Sequence, residues 1–104
     1  METIVTLAAA RHLPLPEGRR SAEVLREGGI EIRFYAPQGR DDQTPHDQDE
    51  VYVVASGRGK FRVADRLTPF APGDLLYVAA HETHRFEDFT PDFGAWVFFY
   101  GPRK

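Results

Sequence analysis

A chain of 104 residues is long enough for one domain with one core and too short for two domains of ordinary size. With 41% hydrophobic and 28% charged residues, and thirteen Lys and Arg scattered among sixteen acids for a net charge of −3, it reads as a globular protein without the basic stripe that nucleic acids reward or a surface suited to membranes. It has no cysteine, which excludes disulfides, thiolate metal sites and cysteine nucleophiles, leaves nitrogen and oxygen chemistry, and fits a cytoplasmic protein.

In chain order, METIVTLAAA opens with Glu2 where a secretory leader carries positive charge, and its apolar run is far too short to span a bilayer. Its Ala and Leu content suits a helix, while Ile4, Val5 and the threonines suit an edge strand, so both remain open. His12 follows in a Pro-rich stretch and is assigned to the surface. SAEVLR and IEIRFYA then flank Glu27-Gly28-Gly29, where the glycine pair supplies the positive φ angles of a tight hairpin. VYVVAS and KFRVAD flank Gly57-Arg58-Gly59 and are expected to pair in the same way. LTPF leads through Ala71-Pro72-Gly73-Asp74 into LLYVAA as a third expected pair. HRFEDF and AWVFFY complete the set, the latter with Trp96, Phe98 and Tyr100 on one face and Val97 and Phe99 on the other, a pattern that predicts burial on both sides. Many short strands without helical interruption predict an all-β sandwich or barrel, which also hides sheet edges. We read one domain over 1–104, with 1–20 as an N-terminal arm or edge strand.

Between these strands, residues 41–57 hold five acids and no Lys or Arg, a negative stretch that favours a cation. Asp41, Asp42, Asp47 and Asp49 nonetheless read as solvated loop acids, and the glycine and distal glutamate of a calcium loop are missing. His46 and Glu50 differ. Strand alternation puts Glu50 on the face of Tyr52 and Val54, and a carboxylate among apolar groups needs a partner. His84 opens a second apolar strand and shares its face with Phe86 and Asp88, while His81 falls in the preceding turn. Two histidines from distant segments plus one carboxylate form the facial set typical of non-haem iron, and the same donors suit Mn, Ni, Co or Zn.

These residues resemble the two short motifs of the cupins, a family of small β-barrels. In the first motif, which runs roughly Gly, His-x-His, Glu, Gly, the counterparts are His46, Glu50 and, six residues on, Gly57, with Thr44 in place of the first histidine. In the second, Gly73, five residues, Ala79-Ala80-His81, two residues, His84, three residues and Asp88 follow the pattern Gly, Pro-x-Gly, His, Asn, with departures at Ala79, His81 and Asp88. GRGKFRVADRLTPFAPGD resembles the strand-turn-strand spacer, and the resemblance spans about 30–100. It implies a double-stranded β-helix barrel of jelly-roll type, in agreement with the strand pattern.

The resemblance further implies one divalent transition metal (Fe, Mn, Ni, Co or Zn) on His46, Glu50 and His84. A Thr44 hydroxyl, a water or the Gln48 amide would complete the set, since in an extended backbone Gln48 shares the face of His46 and Glu50. Glu50 and Tyr52 are the candidate catalytic residues, and Thr44, Tyr52, Phe86, Trp96 and Phe98 the candidate substrate contacts. The implied activities are those of a metal-dependent dioxygenase, isomerase or decarboxylase acting on a small oxygen-bearing molecule. The alternative is a non-catalytic module that binds a metal or small molecule. A homodimer is expected in either case, with no nucleic-acid or membrane partner.

Overall fold

The computed structural model describes residues 3–104 and consists of one short helix and eight strands. Helix α1 (Leu7–Arg11) settles the ambiguity at the N-terminus, although Glu2 lies outside the described residues. Thr6 caps it: the side-chain oxygen accepts from the Ala9 N–H at 3.1 Å, and Ala10 is the one buried residue of the turn. The strands are β1 (Ala22–Glu27), β2 (Ile30–Tyr35), β3 (Asp49–Ser56), β4 (Gly59–Val63), β5 (Arg66–Phe70), β6 (Leu75–Val78), β7 (His84–Glu87) and β8 (Gly94–Tyr100). Every predicted strand is present.

All pairings are antiparallel, in a five-stranded sheet of order β1-β2-β8-β3-β6 and a three-stranded sheet of order β5-β4-β7. The β1–β2 hairpin forms as predicted around Gly28-Gly29, both with positive φ. The other two expected pairs do not form. Between β3 and β4 the chain crosses from one sheet to the other, so β3 pairs with β8 and β6, while β4 pairs with β5 and β7; β5 and β6 likewise belong to different sheets. The reason lies in Gly57, whose φ of +83° and tight approach to Phe93 make it a corner between layers instead of a hairpin tip.

The remaining two-residue hairpin joins β4 to β5 through Ala64-Asp65, where Ala64 adopts φ +55° without being glycine. A left-handed conformation costs an L-residue about 1–2 kcal/mol, of which glycine gives back part as lost chain entropy. Ala64→Gly should therefore stabilise the fold by roughly 0.5 kcal/mol and raise Tm by about 2–4 °C in differential scanning calorimetry.

The two sheets enclose a core of Tyr35, Tyr52, Val54, Phe61, Phe70, Val78, Phe86, Phe93, Ala95 and Val97. Phe86 is its hub, with ring centroids 4.7 Å from Phe61 and Phe93 and 5.0 Å, edge-on, from Tyr52. On β8 the inner face is Ala95, Val97 and Phe99, each paired with an inward residue of β3 (Val54, Tyr52 and Glu50). The outer face is only half covered: Trp96 packs edge-on against Phe34, but Tyr100 is exposed. Burial on both sides of AWVFFY is thus met on one face and partly on the other.

Candidate metal centre

Period-two alternation along β3 drives Glu50, Tyr52 and Val54 into the barrel and leaves Val51 and Val53 on the outer side. His84 is the first residue of β7 and points inward with Phe86. His46 comes from the loop ahead of β3, and its ring lies edge-on against Phe99 at 5.2 Å. The topology therefore carries three side chains from two sheets and a loop to one point: donor atoms of His46, Glu50 and His84 all lie within 4.8 Å of one another. Oε1 of Glu50 is 2.8 Å from Nε2 of His84, and Oε2 is 3.9 Å from Nε2 of His46.

Glu50 is 1% exposed, yet neither carboxylate oxygen has a hydrogen-bond partner among the described residues, although Nε2 of His84 lies 2.8 Å from Oε1. An ionised carboxylate buried in this way is strongly disfavoured unless a cation sits against it. The imidazoles are prepared for the same cation. Nδ1 of His84 faces the Glu82 carbonyl at 2.8 Å, and because a carbonyl only accepts, that nitrogen carries the proton and Nε2 is left toward Glu50. Burial works to lower the His84 pKa, but the Glu50 carboxylate, the Glu82 carbonyl and the charge of Asp41 outweigh it and hold the ring above its ordinary value. His46 is shifted the other way: burial, only partly opposed by Glu50, keeps it neutral and ready to donate a lone pair. The residues present fit a divalent metal.

Behind the cluster runs a buried polar chain. The Tyr52 hydroxyl lies 3.2 Å from Nε2 of His84 and donates to Oε1 of Gln43 at 3.0 Å. Gln43 in turn donates its amide to Oδ2 of Asp41 at 2.7 Å. Asp41 is itself buried and also accepts from the Tyr35 hydroxyl, the Gln43 backbone N–H and the Phe86 backbone N–H. An aspartate can only accept, which fixes the orientation of the Gln43 amide and so makes Tyr52 the donor. Burial, followed by the negative charge of Glu50 and Asp41, raises the Tyr52 pKa well above the ordinary phenol value, so the group keeps its proton and acts as a hydrogen-bond donor.

Several expected placements are corrected. Asp41 is an internal anchor that ties the β2–β3 loop to β7, where a solvated acid was expected. Asp47 and Asp49 hold the C-terminal tail, through Arg103 at 2.6 Å and Lys104 at 2.9 Å. Of these four acids, Asp42, paired with Arg20, and Asp47 keep exposed side chains, at 58% and 46%. Thr44 is exposed and does not line the cavity beside the cluster; Gln43 does. Gln48 lines the cavity, but the chain bends at Asp47-Gln48, which breaks the assumed extension, and its amide donates to the Gly101 carbonyl at 2.9 Å. Phe86 is core, and Trp96 and Phe98 lie on the outer face of β8, so the aromatic lining comes from Tyr35, Tyr52 and Phe99 instead. Of the predicted contacts only Tyr52 stands at the cavity, which also takes in Val97 and encloses about 190 Å³. His12 stays local, its Nδ1 2.7 Å from the Ala8 carbonyl. His81 has φ +69° and its Nε2 meets the Lys104 carbonyl at 2.6 Å, while Asp88 has φ +49°. These are the positions where the resembled motif carries Gly and Asn, the residues that tolerate this backbone best.

A two-sheet antiparallel barrel that converges two imidazoles and a buried carboxylate on one interior point defines a small barrel protein with a candidate metal site. The cupin domain family model matches residues 32–92, more than half of the chain, and the protein belongs to that family. It is 38% identical over 84 residues to an uncharacterized protein of Streptomyces coelicolor, an alignment covering 79% of this chain and 80% of that one. Among solved structures, it resembles a cupin 2 conserved barrel domain protein from Salinispora arenicola with a TM-score of 0.69, at 19% identity and with 97% and 89% of the two chains covered. A cupin-2 domain protein from Rhodospirillum rubrum aligns with a TM-score of 0.66, at 18% identity over 88% and 69% of the chains. The described residues contain no helix long and apolar enough to cross a membrane.

Proposed function

We propose that the protein is a metal-dependent cupin enzyme that binds one divalent transition metal on His46, Glu50 and His84 and acts on a small oxygen-bearing organic molecule. The observation that carries this reading is the buried, unpartnered Glu50 carboxylate between two imidazoles. A divalent ion held by His46, Glu50 and His84, with the exposed Thr44 adding no ligand, would supply a Lewis acid for an oxygen of the substrate. The protein's own groups then do the rest. Tyr52 keeps its proton, which it donates to Gln43, so that the Gln43–Asp41 chain fixes its ring and leaves its hydroxyl oxygen as an acceptor at the cavity wall. Val97, Phe99 and Tyr35 narrow the cavity and displace water.

Elemental analysis of the purified protein is expected to find close to one transition metal per chain, falling at least tenfold in both His46→Ala and His84→Ala. Unchanged metal content in the two variants would refute the ligand assignment. Turnover of keto-acid or diol substrates by the loaded protein, lost in Glu50→Gln, distinguishes the enzyme from a binding module.

The exposed Leu75 and Tyr77 lie on edge strand β6, on the same outer face as Val51 and Val53. We include in the reading a homodimer that covers this face; light scattering should give twice the chain mass, and Leu75→Glu should give the monomer.

A further inference from the structure

The cavity beside the cluster has a charged mouth that is out of keeping with the rest of the molecule. The chain carries a net charge of −3, yet the charged side chains lining this opening are four arginines, Arg19, Arg20, Arg33 and Arg103, against two acids, Glu31 and Asp47. Arg20 and Arg103 are exposed and paired, with Asp42 and Asp47. The other two differ.

Arg33 lies on the inner face of β2, opposite Val97 of β8, and its side chain is 4% exposed. Nε donates to the Ser21 hydroxyl and one Nη to the Ser21 carbonyl, both at 2.6 Å; the other Nη reaches Glu31 at 2.8 Å. Three of five N–H groups are thereby used, and one on each terminal nitrogen has no hydrogen-bond partner among the described residues. Glu31 and, at 3.9 Å, Glu23 are the acids beside Arg33, and both are shared with Arg26 at 3.1 Å, so Arg33 has neither carboxylate to itself. Arg19, at the rim, has no acid within ion-pair distance among the described residues. A buried planar fork held by the bend at Ser21 and by Glu31, with a second cation, Arg19, on the wall of the same cavity, is an arrangement suited to recognising a carboxylate. The cavity is smaller than those that hold drug-sized ligands, which limits the occupant to a small acid. Glu31 and Asp47 in the same wall disfavour the charge that a phosphate dianion concentrates on one group more than the single charge of each separate carboxylate.

We propose that this mouth binds the carboxylate of a small organic acid, with Arg33 as the buried contact and Arg19 as the steering charge. This rests on the metal-site reading above for its catalytic meaning, but not for binding itself. The substrate class it assigns is a small carboxylic acid whose other oxygen atoms reach toward His46 and Tyr52.

The test is calorimetric titration of the full chain with succinate, with its neutral diamide and with inorganic phosphate, both after chelator treatment and after zinc loading. Succinate should bind in both states, more weakly as salt rises, and the diamide should not bind. Arg33→Gln should weaken succinate by roughly tenfold, the equivalent of one charge-assisted contact. Arg19→Gln, at an exposed position with no folded partner to lose, should weaken it by about threefold, and Arg66→Gln on β5 should leave it unchanged. Because Arg33→Gln removes a buried group and can fail to fold, the Arg19 variant and the diamide comparison decide the matter by themselves. Equal binding of diamide and acid, tighter binding of phosphate, or no succinate binding in either state would overturn the proposal. Zinc content, read separately, distinguishes that failure from failure of the metal site.

Discussion

Glu50→Gln should stabilise the metal-free protein in alkaline buffer by about 1–3 kcal/mol while removing the extra stability conferred by added zinc or manganese. Above the pKa of His84, the wild-type site places an ionised, unpartnered carboxylate 2.8 Å from an imidazole nitrogen whose lone pair faces it. A glutamine amide removes the buried charge and can donate to that lone pair. The metal-bound wild type gains in the opposite direction: at a thousandfold excess of metal over Kd, linkage gives roughly 4 kcal/mol, which the variant should not show. The pH dependence follows from the sign of the His84 shift. A raised pKa in the folded state means that protonated His84 stabilises the metal-free protein at low pH, and that this contribution is lost as pH rises through the folded value. Metal and proton thus compete for one place. Thermal melts across neutral pH should show the metal-free curve falling as the metal-induced gain grows; a gain independent of pH would contradict the shared position.

Gly57→Ala should destabilise the fold by at least about 3 kcal/mol, read as a drop in the midpoint of urea unfolding. A Cβ there would lie 2.4 Å from Cα of Phe93 and 2.7 Å from its backbone nitrogen, so no side-chain rotation relieves the clash. Gly39 provides the control, because it has nearly the same φ, +79° against +83°, but open space around it. Gly39→Ala should lose only the left-handed backbone term of about 1 kcal/mol. The difference between the two variants measures what the corner at Gly57 contributes, and comparable losses would remove the close approach as its cause.

How far the sequence could be read depends on the range of the interaction concerned. All eight strands were visible because alternation and turn residues are local, and the β1–β2 hairpin was correctly placed because Gly28-Gly29 determines its own backbone. His46, Glu50 and His84 were legible as a set because motif spacing and strand alternation aim them at one side. Gln43 was missed, although its spacing from Asp41 places it beside a residue that turned out to be buried; an irregular loop has no period from which a facing direction can be deduced. The same limit defeated Gln48, where a bend intervenes, and Thr44, which turns to solvent.

Which strands pair was decided by the tertiary structure. The spacer at Gly57 looks like a hairpin turn, and only the approach of Phe93, distant in sequence, makes it a corner between sheets. AWVFFY is apolar on both faces, so its composition could not tell the inner Val97 and Phe99 from the outer Trp96 and Phe98; pairing with Tyr52 and Glu50 of β3 made that choice. Strand identity, the hairpin of paired glycines and the three metal-facing residues thus follow from neighbours along the chain. Sheet partnership, the burial of Asp41 and the arginine-lined mouth follow from contacts between distant segments, whose free energy depends on loop closure and packing that no local pattern encodes.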